Sequence, residues 1–264
     1  MEHKIIKSLF LLLVLLNLVS NCAHAAPQVP CFFIFGDSLA DNGNNNNLVT
    51  AAKANYRPYG IDFPDGTTGR FTNGRTTVDM IGELLGFNQS IPPFATARGR
   101  DILIGVNYAS GAAGIRDESG RQLGDRISLN KQLLNHAATI NRLIQLLGTG
   151  NEATNYLNNI PYSFSYVSCV TNINNAVQPF NARLVSLVDE LNRELTDARF
   201  IYLNTSGMSS GDPSMLGKSS ILNEYVFWDA IHPTEAVNRF TASRSYNASL
   251  PSDAYPTDIS HLVN

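Results

Sequence analysis

The stretch "FFIFGDSLADNGNNNN", residues 32–47, changes abruptly from an apolar strand to a polar loop. A continuous apolar run of this kind, here residues 31–35, is typical of a strand buried inside a sheet. Gly36, Asp37 and Ser38 come next, and all three residue types favour turns. Ser38 is therefore either an ordinary turn residue or a nucleophile held at the rim of a sheet.

Length and composition favour one globular domain with a sizeable core. The chain has 264 residues, of which 44% are hydrophobic, and single α/β domains commonly reach this length. The formal net charge is −3, and the sequence has no run rich in Lys or Arg. Nucleic acid is therefore not an expected partner.

The N-terminus has the pattern of a secretory signal peptide. Lys4 and Lys7 give a basic start, "SLFLLLVLLNLVS" is a short apolar stretch, and "NCAHAAP" supplies small residues for cleavage after Ala25. We predict a signal peptide over residues 1–25 and one secreted domain over 26–264. Since no second long apolar run follows, we expect no stable membrane insertion after cleavage.

Two further features fit an oxidising, extracellular location. Asn88, Asn204 and Asn247 each begin a glycosylation sequon. Cys31 and Cys169 remain after signal cleavage, and the sequence leaves open whether they pair.

Strand patterns alternate with long helical patterns along the rest of the chain. After the strand at 31–35 and a short helix around "TTVDMIGELLG", the predicted elements are a strand at 102–110, a helix at 128–147, a strand at 163–168, a helix at 171–195 and a strand at 199–204. The final stretch is predicted to be a loose tail. This alternation indicates a parallel sheet covered on both faces, with ligands bound along the edge where the strands end.

A serine nucleophile at that edge needs a general base and a group that orients the base. His232 in "FWDAIHPT" has Asp229 three residues before it, a spacing that can bring both side chains to one side of a turn. The alternative is that Asp229 caps a turn and His232 is a surface residue. Of the other mature histidines, His136 lies beside the apolar face of a predicted helix and is most simply structural, and His261 lies in the tail.

Ester chemistry at Ser38 also needs donors for a developing oxyanion. The Ser38 N–H is one candidate, and the turn "ASGAAG" after the second predicted strand offers another. Gly111 in that turn would let its N–H approach a substrate without a Cβ in the way. The alternative is that the small residues only let strand and loop pack tightly.

Three blocks together carry a family resemblance. "FIFGDSLADNGN", "VNYASGAAGI" and "FWDAIHPTEA" occur in this order, and with "RPYGIDFPDGTTGRFTNGRTTVDMIGELLG" they resemble the plant branch of the GDSL esterase/lipase family, part of the SGNH hydrolases. The resemblance covers residues 28–158, 169–203 and 221–260.

The resemblance implies a role for each block. Ser38 matches the nucleophile, Gly111 and the Ser38 N–H the oxyanion donors, Asp229 the orienting acid and His232 the general base. The implied fold is a flavodoxin-like three-layer α/β/α sandwich around a five-stranded parallel sheet. The implied reaction is hydrolysis of a small-molecule or lipid carboxylic ester through an acyl-serine, without metal or cofactor. Acyl transfer to an alcohol uses the same intermediate and stays open.

The chain departs from the family pattern at the third block, Gly-x-Asn-Asp, which is absent. Cys169 falls where the oxyanion-binding Asn is expected, and the residues after it resemble a segment further downstream. We therefore expect the sheet to lack one strand–helix unit. Asn172 is either a substitute donor or a helix cap. Two functions follow: a secreted serine esterase/lipase, or a catalytically impaired relative that acts as a binding or vestigial protein.

Overall fold

A computed structural model describes residues 26–148, 162–164, 171–209 and 225–263. Its α-helices are α1 (Thr77–Leu84), α2 (Leu129–Leu147), α3 (Thr171–Glu194), α4 (Thr205–Ser209), α5 (Glu235–Tyr246) and α6 (Ile259–Leu262). Its strands are β1 (Phe33–Phe35), β2 (Tyr162–Phe164), β3 (Tyr202–Leu203) and β4 (Ala254–Tyr255). Short 3₁₀ helices span Gly99–Ile104 and Arg121–Leu123. The predicted signal peptide and Cys169 lie outside the described residues.

Strand β1 is paired in parallel on both edges. On one edge Phe33 lies opposite Tyr162 of β2. On the other edge, the Ile34 N–H donates to the Val106 carbonyl at 3.1 Å, and the Tyr108 N–H donates to the Ile34 carbonyl at 2.7 Å. The strand that leads to Ser38 is therefore held between two neighbours that run in its own direction.

Both faces of β1 are buried, because its side chains alternate between two core clusters. Phe32 and Ile34 join a cluster that includes residues of α1 and α5, while Phe33 and Phe35 join one that includes Tyr108 and a residue of α2. The residues from the helices are Val78, Met80 and Ile81 of α1, Ala242 of α5 and Leu143 of α2. The burial predicted for residues 31–35 is confirmed, and the strand within this run covers Phe33–Phe35.

The predicted strand at 102–110 is reduced to isolated parallel bridges at Asn107, which pairs with Ile34 and with Pro93. Residues Gly99–Ile104 form a 3₁₀ helix, and the chain becomes extended from Gly105 onward. Gly105 has a φ of +109°, and a Cβ there would lie 1.9 Å from the Phe32 carbonyl oxygen. Because the backbone passes this close to β1, only glycine fits at position 105, and the strand prediction was wrong over 102–104.

The predicted strand at 199–204 does not join β1. Its paired part is β3, which pairs antiparallel with β4, so that Tyr202 lies opposite Tyr255. The prediction of a loose tail was wrong as well, since β4 and α6 lie in that stretch. Asp258 stabilises the start of α6 by accepting the His261 N–H at 3.0 Å. The described residues thus form an α/β fold with parallel pairing at β1 and a separate antiparallel pair.

A search of the described part of the chain finds no helix that combines the length and the apolar character needed to cross a bilayer.

Candidate active site

Ser38 lies just past the end of β1, and a buried side chain fixes the backbone that leads to it. Gly36 follows the strand with a φ of +150°, a conformation that glycine adopts easily. The fully buried Gln132 of α2 accepts the Gly36 N–H at 3.0 Å and donates to the Gly36 carbonyl at 2.8 Å. Gln132 of α2 therefore fixes the backbone between the end of β1 and Ser38.

Ser38, His232 and Asp229 form one continuous hydrogen-bonded chain, which we call the relay. The Ser38 Oγ lies 2.8 Å from His232 Nε2, and His232 Nδ1 lies 2.7 Å from Asp229 Oδ2. An ionised carboxylate only accepts hydrogen bonds, so Nδ1 carries the ring proton. In the neutral imidazole Nε2 is then an acceptor for the Ser38 hydroxyl, as a general base must be.

The Asp229 carboxylate is held by four donors, two on each oxygen. Oδ1 accepts the N–H groups of Ile231 and His232 at 2.9 and 2.8 Å, and Oδ2 accepts the Tyr59 hydroxyl at 2.7 Å besides the His232 ring. Burial alone would raise the pKa of Asp229, but these hydrogen bonds outweigh it and hold the pKa well below its usual range. Asp229 therefore stays ionised and keeps the imidazole ring oriented.

A tight turn presents His232 to Ser38. The Trp228 N–H donates to the His232 carbonyl at 2.7 Å, and the Thr234 N–H donates to the Val226 carbonyl at 3.1 Å. His232 itself is only 7% exposed. Because the turn is closed by its own backbone, the Asp229 and His232 side chains are held on the same side.

The residues after the turn are anchored to the segment before α1. Asn73 Oδ1 accepts the Glu235 N–H at 2.8 Å, and the Glu235 carboxylate accepts the Arg75 N–H at 2.8 Å and binds its guanidinium. At Gly74 a Cβ would lie 1.8 Å from Glu235 Oε2, so that a larger residue there would displace this carboxylate. This anchor could not be predicted from the sequence, because its signal is a bare "TNGR" far from His232 in the chain.

An aromatic ring links the turn to the predicted oxyanion region. The Phe71 ring centroid lies 5.0 Å from that of His232 and 6.0 Å from that of Tyr59. Phe71 also packs against Gly111, where a Cβ would lie 2.7 Å from the ring. The block that contains Gly111 is thus brought to the same site as the other two blocks.

The Gly111 N–H is occupied in this structure. It donates to Oδ2 of Asp41 at 2.8 Å, and Oδ1 of the same carboxylate accepts the N–H groups of Gly43 and Asn44 at 2.8 Å each. Asp41 is completely buried, and this burial raises the pKa of its carboxyl to about 6. Gly111 thus lies where it was predicted, but its N–H points at a carboxylate and not at an open position. Its oxyanion role stays a prediction.

The Ser38 N–H, the other candidate oxyanion donor, differs from the Gly111 N–H. No hydrogen-bond partner for the Ser38 N–H is found among the residues described, which leaves this donor available to a substrate oxygen. Asn172 lies in the first turn of α3, and the expected position of the third block, near Cys169, lies outside the described ranges.

The other histidines have different surroundings. His136 packs edge-on against Phe33, Phe35 and Tyr108, and burial lowers the pKa of its ring to about 4. His261 makes a 2.7 Å contact with Asp258 at the same three-residue spacing as in the relay, but its side chain is 69% exposed. The Asp-x-x-His spacing alone therefore does not mark the site, and the position of Ser38 distinguishes the two pairs.

The three sequons differ in accessibility. Asn88 and Asn247 are exposed. The Asn204 side chain is engaged on both ends, because its amide nitrogen donates to the Ser252 carbonyl at 3.1 Å and its oxygen accepts the Gly207 N–H at 3.0 Å.

Within the described ranges, no group of three or more His, Cys, Asp or Glu side chains is placed to hold a metal ion.

The family model and the individual relatives that match this chain all point to one family. The model of the GDSL-like lipase/acylhydrolase family matches residues 32–143 and 128–245. GDSL esterase/lipase At1g29670 of Arabidopsis thaliana is 41% identical over 91% of this chain and 93% of its own length. GDSL esterase/lipase At5g45670 of the same plant is 39% identical over 92% and 95%, and At1g33811 is 34% identical over 97% and 98%. No solved structure is significantly similar to the chain.

The alignments also bear on the missing block. The alignment with At1g29670 runs over 339 residues, more than the 264 residues of this chain, so parts of that relative have no counterpart here. This is the result expected if an internal unit is absent. The family match covers more than half of the chain, and the relatives are similar over almost all of it. The chain therefore belongs to the GDSL-like lipase/acylhydrolase family, a family of carboxylic ester hydrolases.

Proposed function

We propose that the chain is a secreted serine esterase/lipase that hydrolyses acyl esters through an acyl-serine intermediate on Ser38. The observation that carries the proposal is the relay itself, with 2.8 Å between Ser38 and His232 and 2.7 Å between His232 and Asp229. These are the separations that proton transfer from a serine hydroxyl to an oriented imidazole requires.

In the first half of the reaction, the Ser38 Oγ attacks the ester carbonyl carbon while its proton passes to His232 Nε2. The ring becomes an imidazolium, which the ionised Asp229 stabilises through Nδ1–H. The tetrahedral intermediate then collapses, the bond to the alcohol oxygen breaks, and the Nε2 proton is transferred to the departing alkoxide. The products of this half are a free alcohol and an acyl group on Ser38.

In the second half, water takes the place of the alcohol. His232 Nε2 removes a proton from the water as the water oxygen attacks the acyl carbon. The bond to the Ser38 Oγ breaks, and the same proton returns to that oxygen. The carboxylic acid leaves, and the relay is restored without any metal or cofactor taking part.

Oxyanion stabilisation is the weaker part of the proposed site. The Ser38 N–H is available, whereas the Gly111 N–H would have to leave Asp41 before it could donate to a substrate. The family's third donor, an asparagine side chain, has no counterpart in the sequence. Since the loss of one such donor lowers kcat by about 10²–10³, we expect slow turnover.

The proposal extends to the fold and the location of the protein. We propose an α/β/α sandwich that lacks one strand–helix unit, because β1 has parallel neighbours on both edges and helices near both faces. Residues 1–25 would direct the chain to the secretory pathway and be removed, leaving the domain 26–264. Glycans are expected on the exposed Asn88 and Asn247 and not on Asn204, whose amide is engaged. Intact-mass measurement before and after enzymatic deglycosylation of secreted protein checks this.

The test of the function combines a melting curve with an ester-turnover assay on one preparation of the mature protein. A cooperative melt together with hydrolysis of a short-chain p-nitrophenyl ester that Ser38→Ala abolishes supports the proposal. Ser260→Ala is the matched control, because Ser260 lies beside Asp258 and His261 and should be dispensable. A folded protein without Ser38-dependent turnover contradicts the proposal.

One observation favours a second candidate, a catalytically impaired relative that binds esters without turning them over. The Gly111 N–H is taken by Asp41, and the third block is absent. For this candidate, the folded protein would bind an ester reversibly, release no alcohol and take up no covalent fluorophosphonate label. Acyl transfer is distinguished from hydrolysis by adding a primary alcohol to the assay and analysing the products for a new ester.

A further inference from the structure

Among the donors to the Asp229 carboxylate, the Tyr59 hydroxyl belongs to the residue that lies furthest away in the sequence. Tyr59 lies in the long irregular segment before α1, 170 residues from Asp229, and its hydroxyl is 2.7 Å from Asp229 Oδ2. This is the same oxygen that accepts His232 Nδ1–H. The other two donors to the carboxylate are backbone groups of its own turn, so Tyr59 is the part of this shell that a substitution can remove cleanly.

The local fold holds Tyr59 in place. The Tyr59 N–H donates to the Tyr56 carbonyl at 3.2 Å, and the next residue, Gly60, donates to the Thr72 carbonyl at 2.9 Å. Gly60 has a φ of +67°, and a Cβ there would lie 2.2 Å from the Gly66 carbonyl oxygen. The turn that carries Tyr59 is therefore fixed by its backbone and by a position that only glycine can occupy.

The Tyr59 ring is held as well. It makes edge-on contacts with Tyr56, at 5.3 Å between centroids, and with Phe71, at 6.0 Å. Phe71 in turn contacts the His232 ring. Tyr59 is thus packed against the same aromatic residue that packs against the general base, and its hydroxyl has one well-defined position.

We infer that Tyr59 is a positioning residue of the relay, which fixes the Asp229 carboxylate and limits how strongly it attracts a proton onto His232. The inference rests on the proposed function of Ser38, His232 and Asp229. Tyr59 does not touch the reacting atoms, since its hydroxyl binds the Asp229 carboxylate and contacts neither His232 Nε2 nor the Ser38 Oγ. A hydrogen bond to a charged group is among the stronger ones in proteins, so its removal should be measurable.

The chemistry of the pair supports this role. Burial, the hydrogen bond to Asp229 and the negative charge of that carboxylate together raise the pKa of Tyr59 well above its usual range. The phenol therefore stays protonated and donates at every pH at which the relay works. Among the described residues, Tyr59 and Tyr56 lie beside Asp229, and the Asp37 carboxylate attracts a positive charge on His232.

The variant that tests the inference is Tyr59→Phe, which removes the hydroxyl and keeps the ring contacts. We expect kcat to fall about tenfold at unchanged KM, the equivalent of one charge-assisted hydrogen bond. The acid limb of the kcat/KM profile should move to higher pH, because more of the carboxylate charge then faces His232 and favours its protonated form. The low-field proton resonance of His232 Nδ1–H should move downfield as its bond to Asp229 strengthens.

The matched control is Tyr255→Phe, because the Tyr255 hydroxyl also donates to an aspartate, Asp189, at 2.8 Å but away from the relay. It should change none of these quantities. An unchanged kcat and an unchanged Nδ1–H resonance in Tyr59→Phe would overturn the inference, and so would a rise in KM alone, which would make Tyr59 a substrate-binding residue. If the wild type shows no Ser38-dependent turnover, the proposed function fails, and the resonance alone then decides whether Tyr59 positions the pair.

Discussion

The relay and the predicted oxyanion region lie side by side, but only the relay has its predicted contacts in place. Ser38, His232 and Asp229 are in hydrogen-bond contact, and Tyr59 completes the shell around the carboxylate. The Gly111 N–H, by contrast, is bound to Asp41. The proposed general base is in contact with Ser38. Of the two proposed oxyanion donors, the Ser38 N–H has no partner among the described residues, and the Gly111 N–H is occupied.

The difference follows from what holds each region. Side chains and turns outside the sheet build the relay: Asp229 and His232 share one turn, and Asn73, Arg75 and Glu235 anchor the residues that follow. The predicted oxyanion region includes Gly111 and the position of the family's Gly-x-Asn-Asp block, which is absent from the sequence. The absence of this block can leave the relay intact and still remove one of the expected oxyanion donors.

The largest effect is expected at the relay. Asp229→Asn should lower kcat by about 10³–10⁴, because an amide in place of the carboxylate favours the wrong ring tautomer of His232. Steady-state kinetics on a p-nitrophenyl ester measures this change. Asp258→Asn is the matched control, since Asp258 holds His261 at the same spacing and distance. A similar loss of activity in both variants would show that the effect comes from folding and not from the relay.

A second test concerns the buried carboxylate that holds the Gly111 N–H. The pKa of Asp41 is raised from about 3.8 to about 6, so the native state binds this proton more tightly than the unfolded chain does. The stabilisation from this proton is complete below about pH 4 and is lost as the pH rises through about 6. We expect the free energy of unfolding of the wild type, relative to Asp41→Asn, to fall by about 3 kcal/mol over this range.

Urea unfolding of both proteins at a series of pH values measures this difference. A wild-type stability that runs parallel to that of Asp41→Asn between about pH 4 and pH 7 would contradict the burial of an ionisable Asp41.

The smallest expected effect is on the oxyanion side. In Gly111→Ala the added Cβ would lie 2.7 Å from the Phe71 ring and 2.8 Å from Asn45 Nδ2, so both must shift. We expect a loss of about 1–3 kcal/mol in stability, and about a tenfold fall in kcat because Phe71 packs against His232. Gly82→Ala in α1 is the control, since its Cβ would meet nothing within 4 Å and kcat should not change. Equal kcat values in Gly111→Ala and the wild type would show that Gly111 does not contribute to catalysis at this site.

The relay residues could be predicted from the sequence, because each signal lies within a short stretch of the chain. The apolar run before Ser38 predicted a buried strand that ends at the serine, and Asp229 and His232 are close enough in sequence to share a turn. The structure brings all three together.

The remaining features depend on contacts between distant parts of the chain. Tyr59 and the anchor of Asn73 with Glu235 lie in an irregular segment without periodicity, so no pattern indicated what they would touch. The start of the second extended segment was misplaced because only glycine fits at position 105, where the backbone passes close to Phe32. The bond between Asp41 and Gly111 joins residues 70 apart and has no sequence signal.

The most direct test is labelling of the purified, folded protein with a fluorophosphonate, followed by mass spectrometry of the labelled peptide. We expect the label on Ser38, at close to one per molecule, and a strong reduction of labelling in His232→Ala, whose melting curve should remain cooperative. A folded wild-type protein that takes up no label, or that takes it up at another residue, would contradict the assignment of Ser38 as an activated nucleophile.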